Sequence, residues 1–384
     1  MTSTNSLEAQ GVISLLRDRP NGAYVTLFMI SVNVFIFLLM LKFGAGLWHS
    51  PNGVQLAWGA NFGPATKDGE WWRLATAMFL HFGLLHLAMN MAALFDSGRL
   101  VERMFGHARF AFLYVLSGLF GNLLSLLVQG NHAVSGGASG AIFGVYGGLI
   151  IFLWRHRRQV HPVEFKWLFG GAILFSCLTL VLGFSITGID NAAHIGGLVA
   201  GIILGIVLEP HPQGATFEIR RNQWFFAILM ILSVVTIFYL MPSASYRWNK
   251  DQQAQVEITK FLSRDAVISQ RWQDTLQQGQ AEGLSFDKLA GKIEQDVAIP
   301  YEKSFNELSS INLEPNSPSA ESLGNVRRYI EIRRNASKSL VKGLRTKDIE
   351  QIQRSLREAQ TAAKVVADDK AKHDQQQTSK SETK

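Results

Sequence analysis

Seven stretches of the chain are apolar enough to cross or nearly cross a lipid bilayer, at about 24–46, 76–96, 109–128, 139–154, 168–187, 191–208 and 224–241. A helix needs about 20 apolar residues to traverse a hydrocarbon layer of about 30 Å. The pattern predicts an all-α polytopic membrane protein with six spans, then a seventh C-terminal transmembrane helix. The fourth stretch is short, since residues 139–154 rise only about 24 Å as a helix. The first lacks a small-residue cleavage site followed by soluble sequence, and reads as a retained span. From Pro242 the pattern turns polar. Gln252–Gln278 and Asn325–Val366 have helix-forming composition, and Glu314-Pro315-Asn316-Ser317-Pro318 reads as a linker between them. The expected organisation is an N-terminal segment (1–22), a six-span domain (23–210), a loop with the seventh helix (211–241), a polar, mostly helical region (242–366) and a disordered tail (367–384).

Composition agrees with two solvents for one chain. Charged residues make up 17% of the 384, against about 25% in soluble domains. Residues 1–241 carry 14 Lys and Arg against 10 Asp and Glu, and residues 242–384 carry 23 against 20. The +7 net charge is thus spread over both parts, which argues against nucleic-acid binding. The single cysteine, Cys177, excludes an internal disulfide and a cysteine zinc cluster. Basic residues orient the spans. Arg17 and Arg19, then Arg99, Arg103 and Arg109, then Arg155, Arg157, Arg158 and Lys166, then Arg220 and Arg221 occupy alternate loops, which lie on one side of the membrane. The intervening loops hold only Lys67 and Arg73, with Lys42 near the end of span one. The positive-inside rule then puts the N-terminus in the cytoplasm and the C-terminal region outside, with a bacterial inner membrane as the expected location. Trp48, Trp58, Trp71 and Trp72 in the first exterior loop suit the headgroup layer.

Polar side chains within spans are costly and point to function. His81, His86 and Asn90 belong to span two, Ser139 opens span four, and His194 begins span six. These three spans run in the same direction, so His86, Asn90, Ser139 and His194 arrive at one depth near the outer face. His86 and Asn90, four apart, share a helix face. Ser139 heads a ridge of Gly140, Gly144 and Gly148, and His194 heads one of Gly197, Gly201 and Gly205. If these small-residue ridges pack together, the serine and the histidine become neighbours. A histidine can take the proton of a serine hydroxyl and make it a nucleophile for acyl transfer. The Ser139 backbone N–H, His86 and Asn90 are candidate donors to the oxyanion. Asp190 is near His194 in sequence but is expected to face the exterior loop, leaving a Ser–His dyad without an acid.

In order along the chain, these residues resemble the rhomboid family of intramembrane serine proteases. Gly137-Ala138-Ser139-Gly140 is similar to the family's GxSG motif, and Ala193-His194-Ile195-Gly196-Gly197 with Gly201 to its histidine helix. Trp72-Arg73 is similar to the WR pair of the first loop. His81, His86 and Asn90 follow the family's HxxxxHxxxN spacing. The resemblance covers about residues 20–210 and implies a six-helix rhomboid-like core. It implies Ser139 as nucleophile, His194 as general base, and His86 and Asn90 as oxyanion-stabilising side chains. His81 would be a supporting hydrogen-bonding residue, and Trp72 and Arg73 anchors of the first loop. It implies that the fifth span moves to admit substrate, that the substrates are single-span or membrane-anchored proteins cut near the outer face, and that no metal or cofactor is needed.

Two features depart from the family pattern. Position 143, often tyrosine in the family and stacked on the catalytic histidine, is Phe143, which keeps the aromatic face. Span seven and the C-terminal region lie beyond the six-span core, and the latter is a candidate for binding an unknown partner. A catalytically silent client-binding protein is the principal alternative. A transporter is disfavoured because the polar residues gather in the outer third and no intramembrane acid pairs with them.

Overall fold

Every apolar stretch becomes helical in the computed structural model, which describes residues 11–17, 19, 21–186, 188–209 and 217–381, with backbone alone at 13, 15, 217 and 368–381. Most of the N-terminal segment's first half, the start of the loop before span seven and the last three tail residues lie outside the described residues. Contacts divide the chain into two units, Met1–Ala244 and Ser245–Lys384.

Helix α1 (Tyr24–Lys42) is apolar on all faces, as suits an element between lipid and protein. The fully buried Glu102 accepts from the backbone N–H of Val25 (2.9 Å) and Thr26 (2.8 Å) and from the Thr26 hydroxyl (2.7 Å). First-turn N–H groups have no partner within their own helix, so a carboxylate from the next span completes α1. The second stretch is not one straight span from 76 to 96. Turns at Arg73–Thr76 and Ala77–Phe79 meet α2 (Leu84–Phe105) at 92°. The first loop satisfies the backbone at this break, with Leu84 N donating to Leu47 O and Ser50 N to Phe82 O, both at 2.8 Å. Gly106, at φ +81°, alone separates α2 from α3 (His107–Gln129), a backbone conformation that glycine takes without penalty.

Helices α4 (Ser139–Arg155), α5 (Pro162–Ser185), α6 (Asn191–Val207) and α7 (Phe217–Leu240) follow. Proline at the first position of α5 needs no N–H there, and the helix starts six residues before the expected span. Among the described residues, α1, α3, α5 and α7 are long and apolar enough to cross a membrane, and the bent pair containing α2 is a fifth candidate. The sixth span proves as short as the fourth: α4 and α6 have 17 residues each, about 25 Å. Burial accounts for this. Most residues of α4 and α6 are buried, whereas α5 buries only Ala172 and Ser176. Helices enclosed by other helices need not match the lipid thickness alone.

The two glycine ridges mesh one to one. A methyl group at Gly197 would fall 2.8 Å from the carbonyl carbon of Gly140, one at Gly201 2.6 Å from that of Gly144, and one at Gly205 3.2 Å from Gly148 Cα. The absence of side chains is thus what allows α4 and α6 to lie backbone to backbone.

The C-terminal unit has its own apolar core, around Phe261, Trp272, Ile293, Tyr301, Ile330 and Leu340. Its helices are α8 (Trp248–Ala281), α9 (Phe286–Ile293), α10 (Ile299–Ser309), α11 (Ala320–Thr346) and α12 (Ile349–Ser381). The expected helix over 325–366 is therefore a hairpin, broken at Lys347, whose φ of +59° ends α11 in a left-handed turn. Helices α9 and α10 lie within the region expected to be mostly helical, between the two stretches singled out for helix-forming composition. The 314–318 linker is a tied corner: Ser317 Oγ (2.6 Å) and Ser319 N (2.9 Å) both donate to buried Asp251. The composition of 367–384 suggested disorder, but backbone helix continues to Ser381, as its Ala, Lys and Gln content permits.

Candidate active site

The site forms where the first loop, the turn before α2 and the starts of α4 and α6 meet. Arg73 organises the loop from within. Its Nε donates to Glu70 (2.5 Å) and its Nη1 to the carbonyls of Leu56 (2.7 Å) and Ala60 (3.1 Å), while the guanidinium lies 4.8 Å from the Trp72 ring centroid. Trp72 is half exposed and packs over Gly59, and Thr76 Oγ1 donates to the Gly59 carbonyl (2.7 Å). The loop reaches the segment before α4 by a two-residue antiparallel bridge, β1 (Asn61–Phe62) with β2 (Val134–Ser135). Gly137 N donates to Ala77 O at 2.8 Å, which fixes the backbone two residues before Ser139.

Ser139 is the first residue of α4 and partly exposed, and His194 lies in the first turn of α6, 5% exposed. Ser139 Oγ and His194 Nε2 are 2.9 Å apart, a hydrogen-bond distance. The Phe143 ring stacks on the imidazole at 4.4 Å between centroids with 6° between planes, so its face clamps the ring that its position suggested. Gly140 supports the approach, since a methyl group there would meet the Ala193 carbonyl oxygen at 3.3 Å.

His86 lies on the other side of the serine. A side chain at Gly137, whose φ is +145°, would begin 3.0 Å from His86 Cε1 and Nε2 and 3.7 Å from Ser139 Oγ. The open space over Gly137 is therefore bounded by both residues. Phe82 N donates to His86 Nδ1 at 3.5 Å, which assigns the proton of a neutral ring to Nε2, the nitrogen facing Gly137. Asn90, on the same helix face as His86, is 7% exposed. Its Nδ2 donates to the His86 backbone carbonyl at 2.8 Å, one turn back, leaving one amide hydrogen for another acceptor. Fully buried His81 meets the His86 ring edge-on at 5.0 Å, so it reaches the site through that ring. Gln55 Nε2 donates to the His81 carbonyl at 3.0 Å, a loop contact that the sequence pattern did not signal.

Asp190 differs from expectation. It does not face outward: its Oδ1 caps α6 by accepting from Ala193 N (3.0 Å), and its Oδ2 accepts from Ser125 Oγ on α3 (2.5 Å) and Ser135 Oγ (2.6 Å). An Asp immediately before the first residues of an apolar helix is an N-cap signal, its side chain accepting from the N–H three residues on, and Asp190-Asn191-Ala192-Ala193 carries that signal. Three donors in a half-buried setting draw the carboxylate inward. It makes no hydrogen bond to the His194 ring, whose Nδ1 meets no partner among the described residues.

The arrangement can perform acyl transfer: a hydroxyl and an imidazole in contact, beside free first-turn N–H groups and a second imidazole N–H. Among the described residues no group of His, Cys, Asp and Glu side chains is disposed to hold a metal ion.

A family model described as "Rhomboid domain" matches residues 68–211. Rhomboid protease GluP of Bacillus subtilis is 32% identical over 252 residues, covering 63% of this chain and 47% of that protein. Rhomboid protease AarA of Providencia stuartii is 31% identical over 209 residues, covering 49% and 74%. RHOMBOID-like protein 5 of Arabidopsis thaliana is 41% identical over 151 residues, covering 38% and 47%. The chain thus spans less than half the length of the Bacillus and Arabidopsis relatives and nearly three-quarters of the Providencia one. The matched region holds His81 in the break before α2, His86 and Asn90 on α2, Ser139 on α4 and His194 on α6, and the chain belongs to the rhomboid family.

Proposed function

We propose that this protein is an intramembrane serine endopeptidase acting through a Ser139–His194 dyad on single-span or membrane-anchored proteins. The observation that carries the reading is the 2.9 Å contact between Ser139 Oγ and His194 Nε2, made by residues 55 positions apart. Ser139 Oγ attacks the scissile carbonyl carbon as its proton passes to His194 Nε2. The resulting oxyanion is held by the Ser139 backbone N–H, which has no acceptor in its own helix, and by His86 Nε2–H, with the remaining Asn90 amide hydrogen within the same helix face. His194 then protonates the leaving amine, and a water, deprotonated by His194, releases the acyl group from Ser139. Phe143 keeps the imidazole facing the serine throughout. One oxyanion donor of this kind is worth about 3 kcal/mol, or roughly 100-fold or more in rate.

The alternation of Arg-rich and Arg-poor loops supports a cytoplasmic N-terminus with the C-terminal unit outside; in that orientation Ser139 and His194, in the first turns of their helices, lie toward the outer face, where cleavage is proposed, in a bacterial inner membrane. The test is labelling of the purified full-length protein by a serine-directed fluorophosphonate, with cleavage of a transmembrane reporter in liposomes. Ser139→Ala and His194→Ala should abolish both. A folded wild type that neither reacts with the probe nor cuts the reporter would refute the protease reading in favour of client binding without cleavage.

A further inference from the structure

Asp190 touches neither reacting side chain, yet it binds the segments that carry both. Its Oδ2 accepts from Ser135, four residues before Ser139, and its Oδ1 from the N–H of Ala193, the residue before His194. Its own backbone carbonyl accepts from His194 N at 3.2 Å. A second hydroxyl, Ser125 on α3, meets the same Oδ2 and ties both segments to a helix buried along much of its length. Loop, helix start and scaffold are thus joined at one carboxylate, by residues four positions before Ser139 and four before His194.

We propose that Asp190 is a positioning residue, which sets the separation of Ser139 and His194 by holding the 134–137 segment against the start of α6; this rests on the dyad reading given above. It is not a third member of a triad. The imidazole Nδ1 makes no bond to it, so its effect passes through Ser135 and the helix cap rather than through a proton.

The substitutions separate these roles. Asparagine at 190 still accepts from Ala193 N and caps as well as aspartate, but it replaces the charged acceptor of two hydroxyls by an amide. Ser135→Ala removes one hydroxyl and leaves the cap intact. Fluorophosphonate inactivation of the full-length protein gives both a maximal rate and a half-saturating concentration without a known substrate. Because misplacement by about 1 Å can cost about 100-fold, Asp190→Asn and Ser135→Ala should each lower the maximal rate about 10- to 100-fold, with half-saturation changed by less than about twofold. The double variant should lose little more than the worse single one, since both remove the same tie. Thermal midpoints of the two single variants should stay near wild type, whereas Asp190→Ala, which also uncaps α6, should unfold earlier.

Three results would overturn the proposal: unchanged rates in both single variants, losses that multiply in the double variant, or a neutral Ser135→Ala beside a loss of about 10⁴ in Asp190→Asn, the size expected of a triad acid. Failure of the dyad reading is distinct, because the wild type itself would then resist the probe. In that event the separation that the tie is held to set has no reactive pair to act on, and the proposal falls with the dyad reading.

Discussion

Gly197→Ala should nearly abolish fluorophosphonate labelling of Ser139 without touching Ser139 or His194. The new methyl group would begin 2.8 Å from the Gly140 carbonyl carbon, and closer still to its oxygen. Carbon atoms pack at about 3.5–4.0 Å, so α4 and α6 must part by roughly 1 Å at this point. Both atoms belong to backbone, which no rotamer change can move aside. Gly140 follows Ser139 directly, and Gly197 is one turn beyond His194, so the separation is imposed beside the 2.9 Å dyad contact. A gap widened to about 4 Å exceeds the reach of a general base. We expect a loss of about 100-fold in fluorophosphonate labelling rate, with a destabilisation of about 1–3 kcal/mol from overpacking. The loss should decline along the ridge. Gly201→Ala meets backbone one turn further from the dyad, and Gly205→Ala meets chiefly the side chain of Ile151, which can yield. Gly171→Ala on α5 is the control, since nothing lies within 4 Å of its added carbon and helix propensity favours alanine by about 1 kcal/mol. Labelling rates and thermal midpoints are measured in the same detergent, well below the unfolding range. Wild-type labelling by a folded Gly197→Ala protein would refute the claim that ridge contact sets the dyad distance.

Three further outcomes are expected. Phe143→Leu keeps an apolar side chain but removes the stacked face on His194; an aromatic pair is worth about 0.5–1.5 kcal/mol, so labelling should slow roughly 2- to 12-fold, and an unchanged rate would deny the ring an orienting role. Asp251→Ala strips the buried acceptor from Ser317 Oγ and Ser319 N, and should lower stability of the C-terminal unit by about 2–4 kcal/mol as read by denaturant unfolding. Burial raises the pKa of Tyr301 and Tyr329 above the ordinary 10.0, with Arg333 opposing and Asp265 adding to the shift. The unfolded chain then loses these phenolic protons at lower pH than the folded one, so the stability they contribute is intact below about pH 10 and falls as pH rises above it. Thermal midpoints of the C-terminal unit that stay level from pH 10 to 12 would contradict this.

The sequence alone determined the number of apolar elements, because lipid accepts only backbone whose hydrogen bonds close within a helix or barrel. It also determined that Ser139, His194 and His86 would gather, because their spans run in parallel and the Gly140 and Gly197 ridges offer only one close fit. Other features depended on contacts distant in the chain. The bend before α2 arises where Leu47 and Ser50 take over backbone bonds at Phe82–Leu84, and nothing local announces it. Helices α9 and α10 and the helical turn joining them bury Ile293, Val297 and Tyr301, spaced by four, but charged neighbours mask that period until a core exists to receive it. Asp190 was read as a loop residue and became the point where three segments join. A carboxylate's direction is set by its donors, and those of Asp190 include hydroxyls 55 and 65 residues away, whose arrival only the packed helices could decide.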